Sequence, residues 1–197
     1  MADINVSPAR GRSGTGASGS AQGSGQGAAQ GGAADGGARD PAYELIELMF
    51  FAYRDFVGDP DHVLERYQFG RAHHRVLHFV YRHPEIRVAD LLDILKITKQ
   101  SLARVLKELI EQGFIQQKEG QVDRRQRLLA VTEKGRALAL ELARLQTERF
   151  ARAIAQSGTT RDQAVRFLYA MIDPESREDV TRMITQADRA LARSKER

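Results

Sequence analysis

From Pro41 onward, apolar residues recur at spacings that change character along the chain. Leu45, Ile46, Leu48, Met49, Phe50, Phe51, Tyr53 and Phe56 predict a helix with apolar side chains on more than one side. Burial from two directions, by its own domain and by a partner subunit, would explain such a helix. Gly58-Asp59-Pro60 is expected to end it. A second helix is predicted from Arg71 to Arg82, closed by His83-Pro84. A short third, Val88 to Leu95, turns Leu91, Leu92 and Leu95 inward, and Lys96-Ile97-Thr98 then turns the chain. Leu102, Val105, Leu106, Leu109 and Ile110 fall on one face of a fourth helix, Lys99 to about Gln112. Thr98 is its expected N-cap, and Gly113 follows its end.

Beyond this helix the period shortens. Phe114 to Lys118 and Gln126 to Val131 read as two strands joined by a polar loop with Gly120 and Asp123-Arg124-Arg125. Thr132 caps a long helix that reaches about Gln156 through Leu138, Leu142, Leu145, Phe150 and Ile154. After Ser157-Gly158, Thr160 and Gln163 have capping-box spacing, and Asp173-Pro174 restarts a final helix. The fold class is mainly α with a small β-wing, confined to residues 41–197. Residues 1–40 hold eleven of the seventeen glycines and predict a disordered Gly/Ala/Ser-rich tail.

Two short helices, a turn and a two-stranded basic hairpin, in that order, make a winged helix-turn-helix, here over 71–132. Such a unit lays its second helix in the DNA major groove, where base edges carry a distinguishable donor and acceptor pattern. The face opposite the leucines carries Gln100, Arg104, Lys107, Glu108 and Glu111, with Ser101 at its side and Lys99 at its start. Gln100, Ser101 and Arg104 lie in the N-terminal half that reaches bases, while Glu108 and Glu111 are expected to tilt away from phosphates. Net charge is only +4, and residues 1–40 sum to zero (Arg10, Arg12, Arg39 against Asp3, Asp35, Asp40). Between Thr98 and Val131, however, Lys99, Arg104, Lys107, Lys118, Arg124, Arg125 and Arg127 outnumber Glu108, Glu111, Glu119 and Asp123. That local surplus suits phosphate contact.

The run Thr98-Lys99-Gln100-Ser101-Leu102-Ala103-Arg104-Val105-Leu106, then Leu109, Gly113 and Phe114-Ile115, resembles the recognition helix of MarR-type (multiple antibiotic resistance) regulators. Asp123-Arg124-Arg125 and Leu128-Leu129-Ala130-Val131-Thr132-Glu133-Lys134-Gly135 resemble that family's wing and its exit into the next helix. The resemblance implies a homodimeric transcriptional regulator on a pseudo-palindromic double-stranded DNA operator. Its dimerisation helices would span 41–57 and 133–193. Ser101 and Arg104 match base or phosphate contacts, Arg125 the wing arginine of the minor groove, Asp123 the acid that steadies it, and Arg124 a phosphate contact. Many members carry Gly in the turn where this chain has Lys96. The tract from Gly158 to Ile172 reads as extra helix.

Other chemistry is thinly supported. His74 and His78 have the i, i+4 spacing of metal ligands, but no carboxylate stands beside them in sequence, and core or surface histidines are the expectation. Phe50, Phe51, Tyr53, Phe56, Tyr67 and Phe69 lie where the family forms a small-ligand pocket, an aromatic ligand being common there. Core and dimer packing is the stronger reading. No nucleotide-binding, zinc-protease or serine-hydrolase motif occurs and there is no cysteine nucleophile, so neither an enzyme nor a cofactor is expected. The lack of cysteine, of a signal peptide and of a long apolar run predicts a cytoplasmic protein without membrane contact. The alternative function is a winged helix that binds protein, which would leave Arg124 and Arg125 without a role.

Overall fold

A computed structural model describes residues 41–119 and 126–195. In order, these form α1 (Tyr43–Glu65), α2 (Arg71–Arg82), β1 (Ile86–Arg87), α3 (Val88–Leu95), α4 (Lys99–Glu111), β2 (Ile115–Glu119), β3 (Arg127–Val131), α5 (Glu133–Ser157), α6 (Arg161–Ala170) and α7 (Pro174–Lys195). The expected disordered tail, and Asp123, Arg124 and Arg125, lie outside the described residues.

α2, α3 and α4 surround one apolar centre. Val76, Leu77, Val80, Leu91, Leu102 and Leu109 are buried there with Phe114 and Ile115 of the α4–β2 junction and Leu129 of β3. Leu138 and Leu142 of α5 close the same core. Spacings of three and four within each helix put these residues on one stripe, which is why periodicity located them. The strands form an antiparallel sheet in the order β1-β3-β2, with Ile115 opposite Val131, Gln117 opposite Leu129 and Ile86 opposite Leu129. β1 has only two residues, too few for any alternation to announce it.

α1 departs from expectation. It does not stop at Gly58-Asp59-Pro60 but continues to Glu65, with Pro60 inside it. Proline removes one helical donor, yet Val57, Pro60 and Leu64 are buried on one side. Beside them Asp59 accepts two hydrogen bonds from the Arg149 guanidinium of α5, at 3.0 and 2.9 Å. Packing against α5 therefore overrides the local breaker. The N-terminal half of α1 behaves differently: Tyr43, Leu45, Leu48, Phe50, Phe51 and Tyr53 are all exposed in the single chain, Phe50 to 68%. No described helix is long and apolar enough to cross a membrane.

The three C-terminal helices start where capping chemistry placed them. Thr132 accepts from the Gly135 N–H, Thr160 and Gln163 form a reciprocal capping box, and Pro174 opens α7 after Asp173. α6 is the extra helix read between Gly158 and Ile172 and buries none of its residues within the chain. α7 folds back on α2, where the Arg82 guanidinium donates to Asp188 at 2.7 Å.

Candidate nucleic-acid interface

The turn into α4 is held by Lys96, which adopts the left-handed conformation (φ 51°, ψ 41°) more often given to glycine. Arg75 of α2 donates to the carbonyl of Leu95 at 3.2 Å and so satisfies the end of α3. Thr98 accepts from the backbone N–H of Ser101 at 3.1 Å, while its hydroxyl donates to the Ser101 Oγ at 2.8 Å. The first turn of α4 is therefore fixed by its own N-cap, as the sequence indicated.

The other end of α4 is fixed as firmly. Gly113 takes φ 75°, the Phe114 N–H donates to the Leu109 carbonyl at 2.8 Å, and the Gly113 N–H donates to Ile110 at 3.0 Å. This is the two-bond Schellman closure, with buried Phe114 and Leu109 as its hydrophobic pair. Lys134 of α5 then donates to the Gln112 carbonyl at 2.8 Å and lies 4.2 Å from the centre of the Phe114 ring.

Between these fixed ends α4 buries Leu102, Val105, Leu106 and Leu109. It exposes Lys99, Gln100, Ser101, Arg104 and Lys107. Arg104 and Lys107 have i, i+4 partners in Glu108 and Glu111, at 3.9 and 3.8 Å. The Lys107–Glu111 pair is exposed on both sides, contributes little and can be exchanged for phosphate at small cost. Five of the predicted contact residues thus share one exposed surface on a helix whose backbone is fixed. The other three, Asp123, Arg124 and Arg125, cannot be placed with them because they lie outside the described residues.

Glu108 is half-buried, accepting from Nε2 of His73 on α2 at 2.8 Å. Nothing in the spacing of the histidines could reveal this partner, because it comes from another helix. His74 and His78 are instead desolvated. Burial pushes both imidazoles down, His78 to about 4, with His74, Arg82 and His83 adding to its shift, while Asp61 partly opposes the shift of His74. Among the described residues, no group of three or more acidic or histidine side chains is placed to hold a metal.

The six aromatic residues considered for a ligand pocket separate into different surroundings. Phe50, Phe51 and Tyr53 are exposed, and Phe56 meets Phe150 of α5 edge-on at 5.4 Å. Tyr67 and Phe69 pack on Phe114 at 5.0 and 5.1 Å, inside the core beneath α4. A cavity of about 90 Å³ lies elsewhere, between His78, Phe79, Arg82 and His83 of the α2 segment and Met183, Ile184 and Ala187 of α7.

Comparison with known proteins agrees with this geometry. The MarR family model matches residues 67–126. The HTH-type transcriptional regulator PetP of Rhodobacter capsulatus is 45% identical over 133 residues, covering 67% of this chain and 80% of that protein. Among solved structures, the transcriptional regulator SlyA superposes with a TM-score of 0.55 at 19% identity, covering 71% of this chain and 95% of that one. A mutant MarR from E. coli complexed with operator DNA gives 0.50 at 19% identity, covering 68% and 96%. At such identities the two structures speak for the fold alone.

Proposed function

The chain belongs to the MarR family of HTH-type transcriptional regulators, and from that premise we propose that it acts as a homodimer on a pseudo-palindromic double-stranded operator. α4 enters the major groove. Gln100 and Arg104 are chemically suited to adenine and guanine edges, and Ser101 sits beside them. Lys99 and Lys107 face phosphates. On the wing, Arg125 reaches the minor groove, Asp123 steadies it and Arg124 contacts phosphate, a guanidinium being suited to a narrow electronegative groove.

The observation that carries this reading is the exposed set Lys99, Gln100, Ser101, Arg104 and Lys107 on a helix fixed at both ends. A fixed helix presents its side chains in one register, which sequence discrimination requires. Dimerisation through α1 and the C-terminal helices is supported by the apolar residues that the single chain leaves exposed. These are Leu45, Phe50 and Phe51 on α1, and Phe167, Leu168 and Tyr169 on α6. Modulation by a small aromatic ligand belongs to the reading on the family resemblance. A phenolate titration that leaves operator affinity unchanged would count against it.

The test is selection of duplexes from a random pool by the full chain, followed by affinity measurements with Arg104→Ala. The expected result is an inverted-repeat consensus, with Arg104→Ala losing about 1–3 kcal/mol and its preference at one base pair per half-site. Recovery of no consensus would favour the protein-binding winged helix instead.

A further inference from the structure

His73 is engaged in a way that DNA contact does not use. It is buried on α2, its side chain only 10% exposed, and its ring stacks on Phe69 with centroids 4.6 Å apart. Its Nδ1 accepts from the backbone N–H of Gly70 at 3.1 Å, closing the first turn of α2. In the neutral ring that bond leaves the proton on Nε2. The Nε2–H then donates to Oε2 of Glu108 at 2.8 Å, a charge-assisted bond from a nearly buried donor.

Holding Oε2 decides where the other carboxylate oxygen goes. Oε1 lies 3.9 Å from Nε of Arg104, one turn earlier on α4. Helical side chains lean toward the N-terminus, so Glu108 leans toward Arg104. Arg104 itself is 80% exposed, with a long flexible stem and little else on α4 to aim it. A carboxylate anchored to a buried ring is a fixed point of negative charge, whereas a free surface glutamate is not.

We propose that His73 is a positioning residue for DNA readout: through Glu108 it sets the direction of Arg104 and sharpens discrimination at the base pair Arg104 faces. This rests on α4 being the reading helix. His73 would touch no DNA, so its contribution should appear in specificity and not in general affinity. Losing it would let Arg104 sample other directions and accept other bases.

The experiment uses the full chain, a duplex selected from a random pool, and that duplex with single base-pair changes. His73→Asn keeps an oxygen where Nδ1 stands and removes the Nε2 donor, whereas His73→Gln restores an amide donor near the Nε2 position. Glu108→Ala removes the same bond from the half-exposed side. His73→Asn and Glu108→Ala should each lower the preference at one base pair per half-site by about fivefold. The double variant should lose no more than either single one, and His73→Gln should retain most of the preference. Affinity of the His73 variants for unselected duplex should not change. If the two single variants fold and keep the full preference, the proposal is wrong; should His73→Asn fail to fold, His73→Leu, which removes both ring nitrogens and keeps apolar bulk against Phe69, takes its place, and full preference in it overturns the proposal. Arg104→Ala separates the two layers. If it flattens the preference while the His73 and Glu108 variants do not, only the positioning role falls. If it leaves every preference intact, the reading of α4 falls, and the positioning role with it.

Discussion

A Cβ built on Gly135 would lie 2.0 Å from the carbonyl oxygen of Phe114. That oxygen also accepts the Thr132 N–H at 3.0 Å, so the first turn of α5 is pressed onto the junction that ends α4. Gly135→Ala should therefore lower stability by about 1–3 kcal/mol, read from the urea midpoint, because backbone must move against backbone. An unchanged midpoint would show that the contact is slack. Arg125, which the family resemblance assigns to the wing, makes a different kind of prediction. Arg125→Ala should weaken operator binding by about 1–3 kcal/mol while leaving the dimer intact; full affinity in a folded variant would remove Arg125 from the interface. His78 predicts a pH effect. Its folded pKa falls from 6.5 to about 4, chiefly by burial, so the unfolded chain takes up the proton first as pH drops. Its stabilising effect is complete above 6.5 and is lost as pH falls toward 4. Between pH 7 and 5 this amounts to about 1–2 kcal/mol, allowing for its partial exposure. His78→Gln should flatten that part of the stability profile, and an equally steep profile would place the effect elsewhere.

The turn between α3 and α4 shows how far local chemistry reaches. Lys96 sits at φ 51°, where a lysine is strained and a glycine is not. Lys96→Gly should raise stability by about 0.5–1 kcal/mol, the relief of strain exceeding the added freedom of the unfolded chain. A loss of stability would mean that the lysine stem makes up the difference by packing. The helices flanking this turn were legible because their leucines and valines repeat at helical spacing and their ends carry Thr98 and Gly113. Thr160 with Gln163, and Asp173 with Pro174, were legible for the same reason: the interaction lies within a few residues of sequence. Three features were not. α1 passes Pro60 because Arg149, far along the chain, binds Asp59 and the surrounding side chains are buried. β1 exists only as a partner for Leu128 and Leu129 of β3. Glu108 turns inward because His73 waits on another helix. Each depends on a contact across the chain, which periodicity cannot register. In the candidate site, the helix face of Lys99, Gln100, Ser101, Arg104 and Lys107 followed from spacing alone, whereas Asp123, Arg124 and Arg125 rest on the family resemblance.

The chain exposes a face rich in polar and cationic groups on α4, and exposed apolar side chains on α1 and on α6. The first is a poor surface for apolar association and the second a poor surface for water, which suits the two partners proposed above, DNA and a second copy. In the proposed dimer, pairing two chains would double the cations near the duplex. Neutralising phosphates with them should make log K fall with log salt at a slope of about −5 or steeper. The proposed dimer also fixes geometry, since its two copies of α4 would enter successive major grooves about 34 Å apart, one helical turn. The most direct test inserts about five base pairs between the two half-sites of the selected duplex, which turns one half-site to the opposite face of the helix. Tight binding by the full chain should be lost on that insertion and recovered when the insertion is extended to a whole turn. Equal affinity for all three spacings would contradict a dimer that reads two half-sites through paired copies of α4.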